Sequence, residues 1–221
     1  MQLLLLISQL LISSYATEKV VIIDTGLDIK DNRFHHLCAT GHKDFTHTGM
    51  TDNHGHGTHI AGIIDKNLSD KYCIVIVKYW NMPTDKHVLE TYLAALTYAT
   101  SLSPKVINLS LVGEDFVLDE YSLMKQASTT QFIVSAGNTH TQFGFFTNIY
   151  PAQYKLPNIT VVGALHNGVK ASYSNYGDTV TKWEEGAIES FARNNGNIVM
   201  RGTSQATARY TSIFLSSNNG R

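Results

Sequence analysis

The 221-residue chain is short of charge and of cysteine, and these shortages remove several functions before any motif is read. Lys and Arg number 17 against 18 Asp and Glu, for a formal net charge of -1, and no long Lys/Arg block occurs. Such a chain has no electrostatic reason to bind nucleic acid or an anionic membrane. Two cysteines, Cys38 and Cys73, do not supply the paired-cysteine motif of a zinc site. Long apolar runs are scarce as well. The strongest, Met1 to Ile12, is interrupted by Ser8 and Gln9 and is too short for a stable membrane span.

What is present suffices for a packed core. A hydrophobic content of 43% over this length suits one α/β domain rather than a disordered chain. Ser13-Ser14-Tyr15-Ala16 follows the apolar run and sets Ser14 and Ala16 where signal peptidase favours small residues, so residues 1–16 read as a signal peptide and 17–221 as the mature domain. That reading makes the protein secreted, periplasmic or extracellular. A charged n-region is missing, and the alternative, a helix before the first strand, leaves the chain cytoplasmic.

Lys19 to Ile23 is a β-branched run ending at Asp24-Thr25-Gly26, the pattern of a central parallel strand that delivers Asp24 at its carboxyl end. By itself such an Asp could equally cap a turn. Asp52 to Ile64 supplies His56 at the mouth of a helix. Gly57, Ala61 and Gly62 let that helix approach its neighbours, while Ile60, Ile63 and Ile64 give it apolar surface. Gly202-Thr203-Ser204 places a hydroxyl at the start of another helix. An acid, a base and a hydroxyl form the orienter, base and nucleophile of acyl transfer.

In the order Asp24, His56, Ser204, these motifs resemble the subtilisin-like serine proteases, and the resemblance runs from Val20 to about Ala208. It implies a three-layer α/β fold with a central, mostly parallel sheet. Phe132 to Asn138 matches the segment carrying the oxyanion asparagine, so Asn138 is expected to donate its amide. In subtilisin itself that donor is worth about 2.7–4 kcal/mol, a magnitude borrowed from the type case. Ser110, Leu111, Val112 and Gly113 match the exposed edge that pairs with an extended peptide by β-augmentation, with Ser135, Ala136 and Gly137 as further substrate-binding positions. Val112 stands where a glycine is usual and Ile149 at a position associated with the P1 pocket floor. Both imply a preference for small or slender apolar P1 residues.

The resemblance further implies peptide or unfolded protein as substrate and no redox or organic cofactor. Asp65 to Lys71 is too short for the family's calcium loop, which leaves a structural calcium ion without a located site. The family's strands corresponding to those of Cys38 and Cys73 are neighbours, so the pair forms either a disulfide or two free core thiols. The histidines around Cys38 (His35, His36, His42, His47) and the trio His54, His56 and His59 suggest metal, but the former lack ligand spacing and the latter match the base motif. Asn67-Leu68-Ser69 is an exposed sequon, with Asn108 and Asn158 beside core strands as poorer ones.

Other segments fix expectations more loosely. Helices are expected over His87 to Thr100 and Leu118 to Ser128, strands over Leu37 to Ala39, Tyr72 to Tyr79 and Val106 to Gly113, and Phe143 to Phe146 lines a cleft or packs locally. Lys182 to Gly186 replaces the family's Ala-Pro-Gly turn, Gln205 a frequent methionine and Ala208 the usual proline. Family members usually continue past the serine helix with more apolar structure and carry a prodomain before the acid. A chain without these is expected to be less stable, to be compensated by a stabilising protein partner, or to be a decayed enzyme; the leading reading is an active serine endopeptidase, and the first alternative a catalytically inactive peptide-binding protein. A serine-dependent esterase is the remaining alternative.

Overall fold

The computed structural model describes residues 17–81, 88–144 and 147–217. Residues 1–16, His87, Phe145 and Phe146 lie outside them, so the expectations for the signal peptide and for part of the aromatic cluster do too.

Strand β1 (Glu18–Asp24) is the spine of the sheet. Val20 and Ile22 point into one hydrophobic layer, Val21 and Ile23 into the other, which is why a continuous apolar run forms a strand covered on both faces. It pairs in parallel with β3 (Tyr72–Lys78) on one side and β4 (Val106–Leu109) on the other. Beyond β4 follow β5 (Gln131–Ser135) and β6 (Ile159–His166), also parallel. Short β2 (Lys43–Asp44) edges β3, and β7 (Val169–Lys170) and β8 (Lys182–Glu185) both pair with β6. An antiparallel hairpin of β9 (Ala187–Phe191) and β10 (Asn197–Arg201) stands apart.

Helices cover both faces. On one, α1 (His56–Asp65) and α4 (Thr203–Ser217) bury Ile60, Ile64, Ala206, Ala208 and Leu215 against Val20, Ile22, Ile76 and Val162. On the other, α2 (Val88–Ser101) and α3 (Leu118–Gln126) bury Tyr92, Leu96 and Met124 against Val21, Ile23, Val77 and Phe132. The chain leaves β1 for β3 on one side and later returns for β4 on the other. The carboxyl end of β1 therefore opens at the point where strand order reverses, the crevice in which α/β sheets collect sites. Asp24 sits there.

Several expectations change in detail. Leu37 to Ala39 contributes a single parallel bridge, Leu37 to Ile74, rather than a strand. Lys182 to Glu185 is strand β8 rather than a turn, because Gly163 of β6 leaves room for the Trp183 ring: a Cβ on that glycine would lie 2.6 Å from it. Cys38 and Cys73 form a disulfide across the bridged segments. Asn67 is exposed, whereas Asn108 is fully buried and the Asn158 amide donates to the carbonyls of Met124, Ala127 and Thr130. Phe143 packs into the core. Among the described residues, no helix is long and apolar enough to cross a membrane.

Candidate active site

His56, the expected base, is held from two directions. Nδ1 of His56 lies 2.8 and 2.9 Å from the two carboxylate oxygens of Asp24, which itself accepts from the Thr25 N–H at 2.8 Å. This contact fixes the tautomer and turns Nε2 outward. Burial works to lower the imidazole pKa, but the Asp24 carboxylate, by charge and by hydrogen bond, and more distant Asp52 hold it above the ordinary value. An imidazolium formed at His56 is therefore stabilised.

His56 opens α1, and the start of that helix is built around Asp52. One Asp52 oxygen accepts from the Thr25 hydroxyl and from the N–H groups of His54 and Gly55; the other accepts from the N–H and hydroxyl of Thr58. The first free N–H groups of a helix need such acceptors. Thr25 closes the ring, its hydroxyl accepting from the N–H of Gly57 at 2.9 Å. Gly57 is obligatory in this arrangement, since a Cβ there would lie 2.4 Å from the carbonyl of Gly26. Beneath the loop, buried Lys78 donates to the Thr48 hydroxyl and the carbonyls of Gly49 and Thr51.

The nucleophile side is wired differently. Ser204 lies in the first turn of α4, and its hydroxyl donates to the Ser110 carbonyl at 3.2 Å while the Ser110 hydroxyl donates to the Ser204 carbonyl at 3.0 Å. Among the described residues this is the one hydrogen bond of the Ser204 hydroxyl, which thus makes none to the imidazole. Catalytic hydrogen bonds of this kind commonly tighten only with substrate bound. A buried chain fixes the pair: Thr211 donates to Asn108, and the Asn108 amide donates to the Ser110 hydroxyl.

Asn138 is exposed at the end of β5, and its side-chain oxygen accepts from the Thr203 N–H and hydroxyl at 2.8 and 3.0 Å. Holding the oxygen inward leaves the amide nitrogen as the free end, the donor an oxyanion requires. The Thr203 hydroxyl in turn accepts from the Gly137 N–H, so one threonine ties the start of α4 to the loop after β5.

The expected substrate edges face each other here. Ser110 to Gly113 runs on from β4, and Gly113 and Tyr150 exchange backbone hydrogen bonds at 2.8 and 2.9 Å. Ser135, Ala136 and Gly137 lie opposite, with the Ser135 hydroxyl donating to the Leu111 carbonyl. Val112 projects into the gap, its Cγ1 within 3.7 Å of where a Gly137 Cβ would lie. Half-buried Ile149 packs against the core beside them.

The histidine clusters do not converge. His36 binds Asp65, and His42 binds the Cys38 carbonyl and the Ile76 N–H. His59 is buried, bonded to the Ile198 carbonyl, and lowered in pKa mainly by burial, so it belongs to the core. Among the described residues no group of three or more potential ligands forms a metal site. Sequence reasoning had passed over Asp52, Thr25, Thr203 and Asn175. Asn175 buttresses the oxyanion loop by donating to the Ala136 carbonyl and accepting from Thr139 and Thr141. An acid shortly before a helix start was a readable hint for Asp52 alone.

Known proteins resemble this chain in sequence and in fold. The chain is 31% identical over 200 residues to subtilisin-like protease 2 of Trichophyton verrucosum, covering 84% of this chain and 46% of the relative. Subtilisin-like protease 11 of Arthroderma gypseum is 31% identical over 195 residues, covering 83% and 48%. The chain thus spans about half the length of these curated relatives. Among solved structures, a cold-adapted subtilisin-like serine proteinase superposes with a TM-score of 0.76 at 25% identity, over 91% of this chain and 76% of that one. MycP1 with its N-terminal propeptide removed shares the fold, with a TM-score of 0.71 at 21% identity over 90% and 76%. The sequence profile of the subtilase family (peptidase S8) matches residues 16–215, and the chain belongs to that family.

Proposed function

We propose that this chain is a serine endopeptidase that hydrolyses peptide bonds through an acyl-enzyme. The observation that carries the reading is both carboxylate oxygens of Asp24 set against His56 Nδ1, with Ser204 in the first turn of α4. In the first step Ser204 rotates off the Ser110 carbonyl, His56 Nε2 takes its proton, and Oγ attacks the scissile carbonyl. Asn138 and the Ser204 N–H donate to the oxyanion. His56 then protonates the leaving amine. Water, deprotonated by the same imidazole, attacks the ester and releases the acid with Ser204 restored.

When Ser204 leaves it, the Ser110 carbonyl becomes free to accept from an extended peptide, and the Val112 side chain in the gap favours small or slender apolar P1 residues. The substrate class is peptide or unfolded protein, in a secreted setting to which the disulfide is suited. Chemistry of this kind calls on no cofactor, and a structural calcium site is left unassigned.

The test is a fluorophosphonate probe on the folded chain, with Ser204→Ala and heat-unfolded controls and the adduct located by peptide mass analysis. A native-state adduct on Ser204 is expected, followed by cleavage of a peptide library after small apolar residues. Efficient cleavage after Phe or Tyr would overturn the pocket assignment. A second reading, an inactive peptide binder, draws on the bond of the Ser204 hydroxyl to the Ser110 carbonyl in place of the imidazole: peptide binding without probe labelling would establish it. Ester turnover without peptide turnover would instead identify an esterase.

A further inference from the structure

His54 takes no part in this mechanism, yet its ring stands next to the base. The His54 and His56 centroids are 6.1 Å apart at an interplanar angle of 68°, and Trp80 backs His54 at 5.4 Å. The segment beneath is pinned: the His54 backbone N–H donates to Asp52 at 3.0 Å, and the Asn53 side-chain amide donates to the Asn81 side-chain oxygen at 3.2 Å. The exposed His54 imidazole makes no hydrogen bond among the described residues. His56 has Nδ1 committed to a carboxylate, the arrangement that makes the opposite nitrogen a better metal ligand.

We propose that His54 and His56 chelate an exogenous divalent transition cation, zinc or copper, which inhibits the enzyme by occupying the lone pair of the base. Imidazole nitrogens about 2.0–2.1 Å from one tetrahedral ion place their ring centroids roughly 5–5.5 Å apart, so a small rotation of exposed His54 closes the site. Imidazole pairs suit zinc and copper rather than calcium or magnesium. His59 cannot complete a trio, since its Nε2 is held by the Ile198 carbonyl inside the core. Water fills the remaining positions, and the ion is an exchangeable inhibitor instead of a resident cofactor. Asp24, buried behind His56, favours the bound charge.

Inhibition rests on the peptidase reading, whereas binding does not, and the experiment separates them. Copper(II) chloride is titrated into the folded chain and into its Ser204→Ala variant while tryptophan fluorescence is read, because Trp80 lies beside His54 and Trp183 is in β8. Saturable one-to-one quenching is expected in both, reversed by EDTA. It should weaken by about tenfold or more in His54→Gln, which loses one imidazole ligand, and by about 10–100-fold in Asp24→Asn. In parallel, zinc should inhibit peptide hydrolysis reversibly with EDTA, at a concentration that rises by a similar factor in His54→Gln. Quenching or inhibition unchanged in His54→Gln overturns the site. If no sample hydrolyses peptide, quenching that depends on His54 still upholds the chelate, and the peptidase reading alone fails.

Discussion

Asp52 and Glu120 are equally buried carboxylates, 3% and 4% exposed, and they anchor opposite sides of the sheet. Asp52 is ringed by backbone N–H groups and two threonine hydroxyls at the start of α1. Among the described residues Glu120, in α3, accepts from two phenols alone, Tyr92 of α2 at 2.6 Å and Tyr154, with Tyr154 also bonded to the backbone at Val117. The first carboxylate fixes a backbone on which the proposed base, His56, rides. The second fixes helices to one another. Dense satisfaction by N–H donors is needed where a displacement of about 1 Å changes the rate, whereas a packing layer tolerates a looser anchor.

The sharpest way to break the contrast is Asp52→Asn. An amide cannot accept at both oxygen positions, so its NH2 must face either the Thr58 N–H or the cluster of Thr25, His54 and Gly55 donors. The loss should be about 2–4 kcal/mol of stability and about 100-fold in kcat as His56 moves. Denaturant melts and steady-state peptide assays read the two effects. A variant with normal kcat would show that Asp52 anchors packing as Glu120 does.

Gly57→Ala tests the same anchor sterically. Its Cβ would lie 2.4 Å from the Gly26 carbonyl, and that backbone cannot yield without disturbing Asp24. Expected effects are about 1–3 kcal/mol of overpacking and about tenfold to 100-fold in kcat. The matching variant Gly168→Ala, at a site with open space but positive φ, should cost stability alone.

Much of this was readable in advance, and what was not has a common cause. Asp24, His56 and Ser204 stand in contiguous strings whose neighbours, the strand run before Asp24 and the small residues around His56, have local meaning. The supporting bonds join residues far apart: Thr25 to Asp52, Gly137 to Thr203, Asn108 to Thr211. No local period or propensity encodes such a pair. The Cys38–Cys73 choice likewise stayed open because two cysteines in neighbouring strands suit either a bond or two thiols. Trp183 misled for a different reason. Its strand depends on a gap at Gly163, twenty residues upstream.

Thr203→Val probes the nucleophile side. Valine keeps the shape and the N–H bond to Asn138 but removes the hydroxyl that donates to Asn138 and accepts from Gly137. The Asn138 amide should lose its fixed orientation, lowering kcat by about tenfold with KM little changed, because an oxyanion donor acts in the transition state. Thr203→Ser should restore most of the rate. A rise in KM with kcat intact would place Thr203 in substrate binding instead.

The smallest effect, and the one that completes the contrast, is expected at Glu120. Burial raises its carboxyl pKa above 4.5, and the two tyrosine hydrogen bonds offset this only in part. The folded state thus binds this proton more readily than the unfolded chain. Its contribution to stability is fully present below the unfolded value and is lost as pH rises from there through the folded value. Glu120→Gln carries no proton to lose, so the difference in stability between variant and parent should drift in the variant's favour across that window and then level off. The α2–α3 packing layer touches no reacting atom, so kcat should stay within about twofold at every pH where both are folded. A kcat change that follows the same titration would mean that the two sides of the sheet are coupled, and that the looser anchor also sets the geometry of the site.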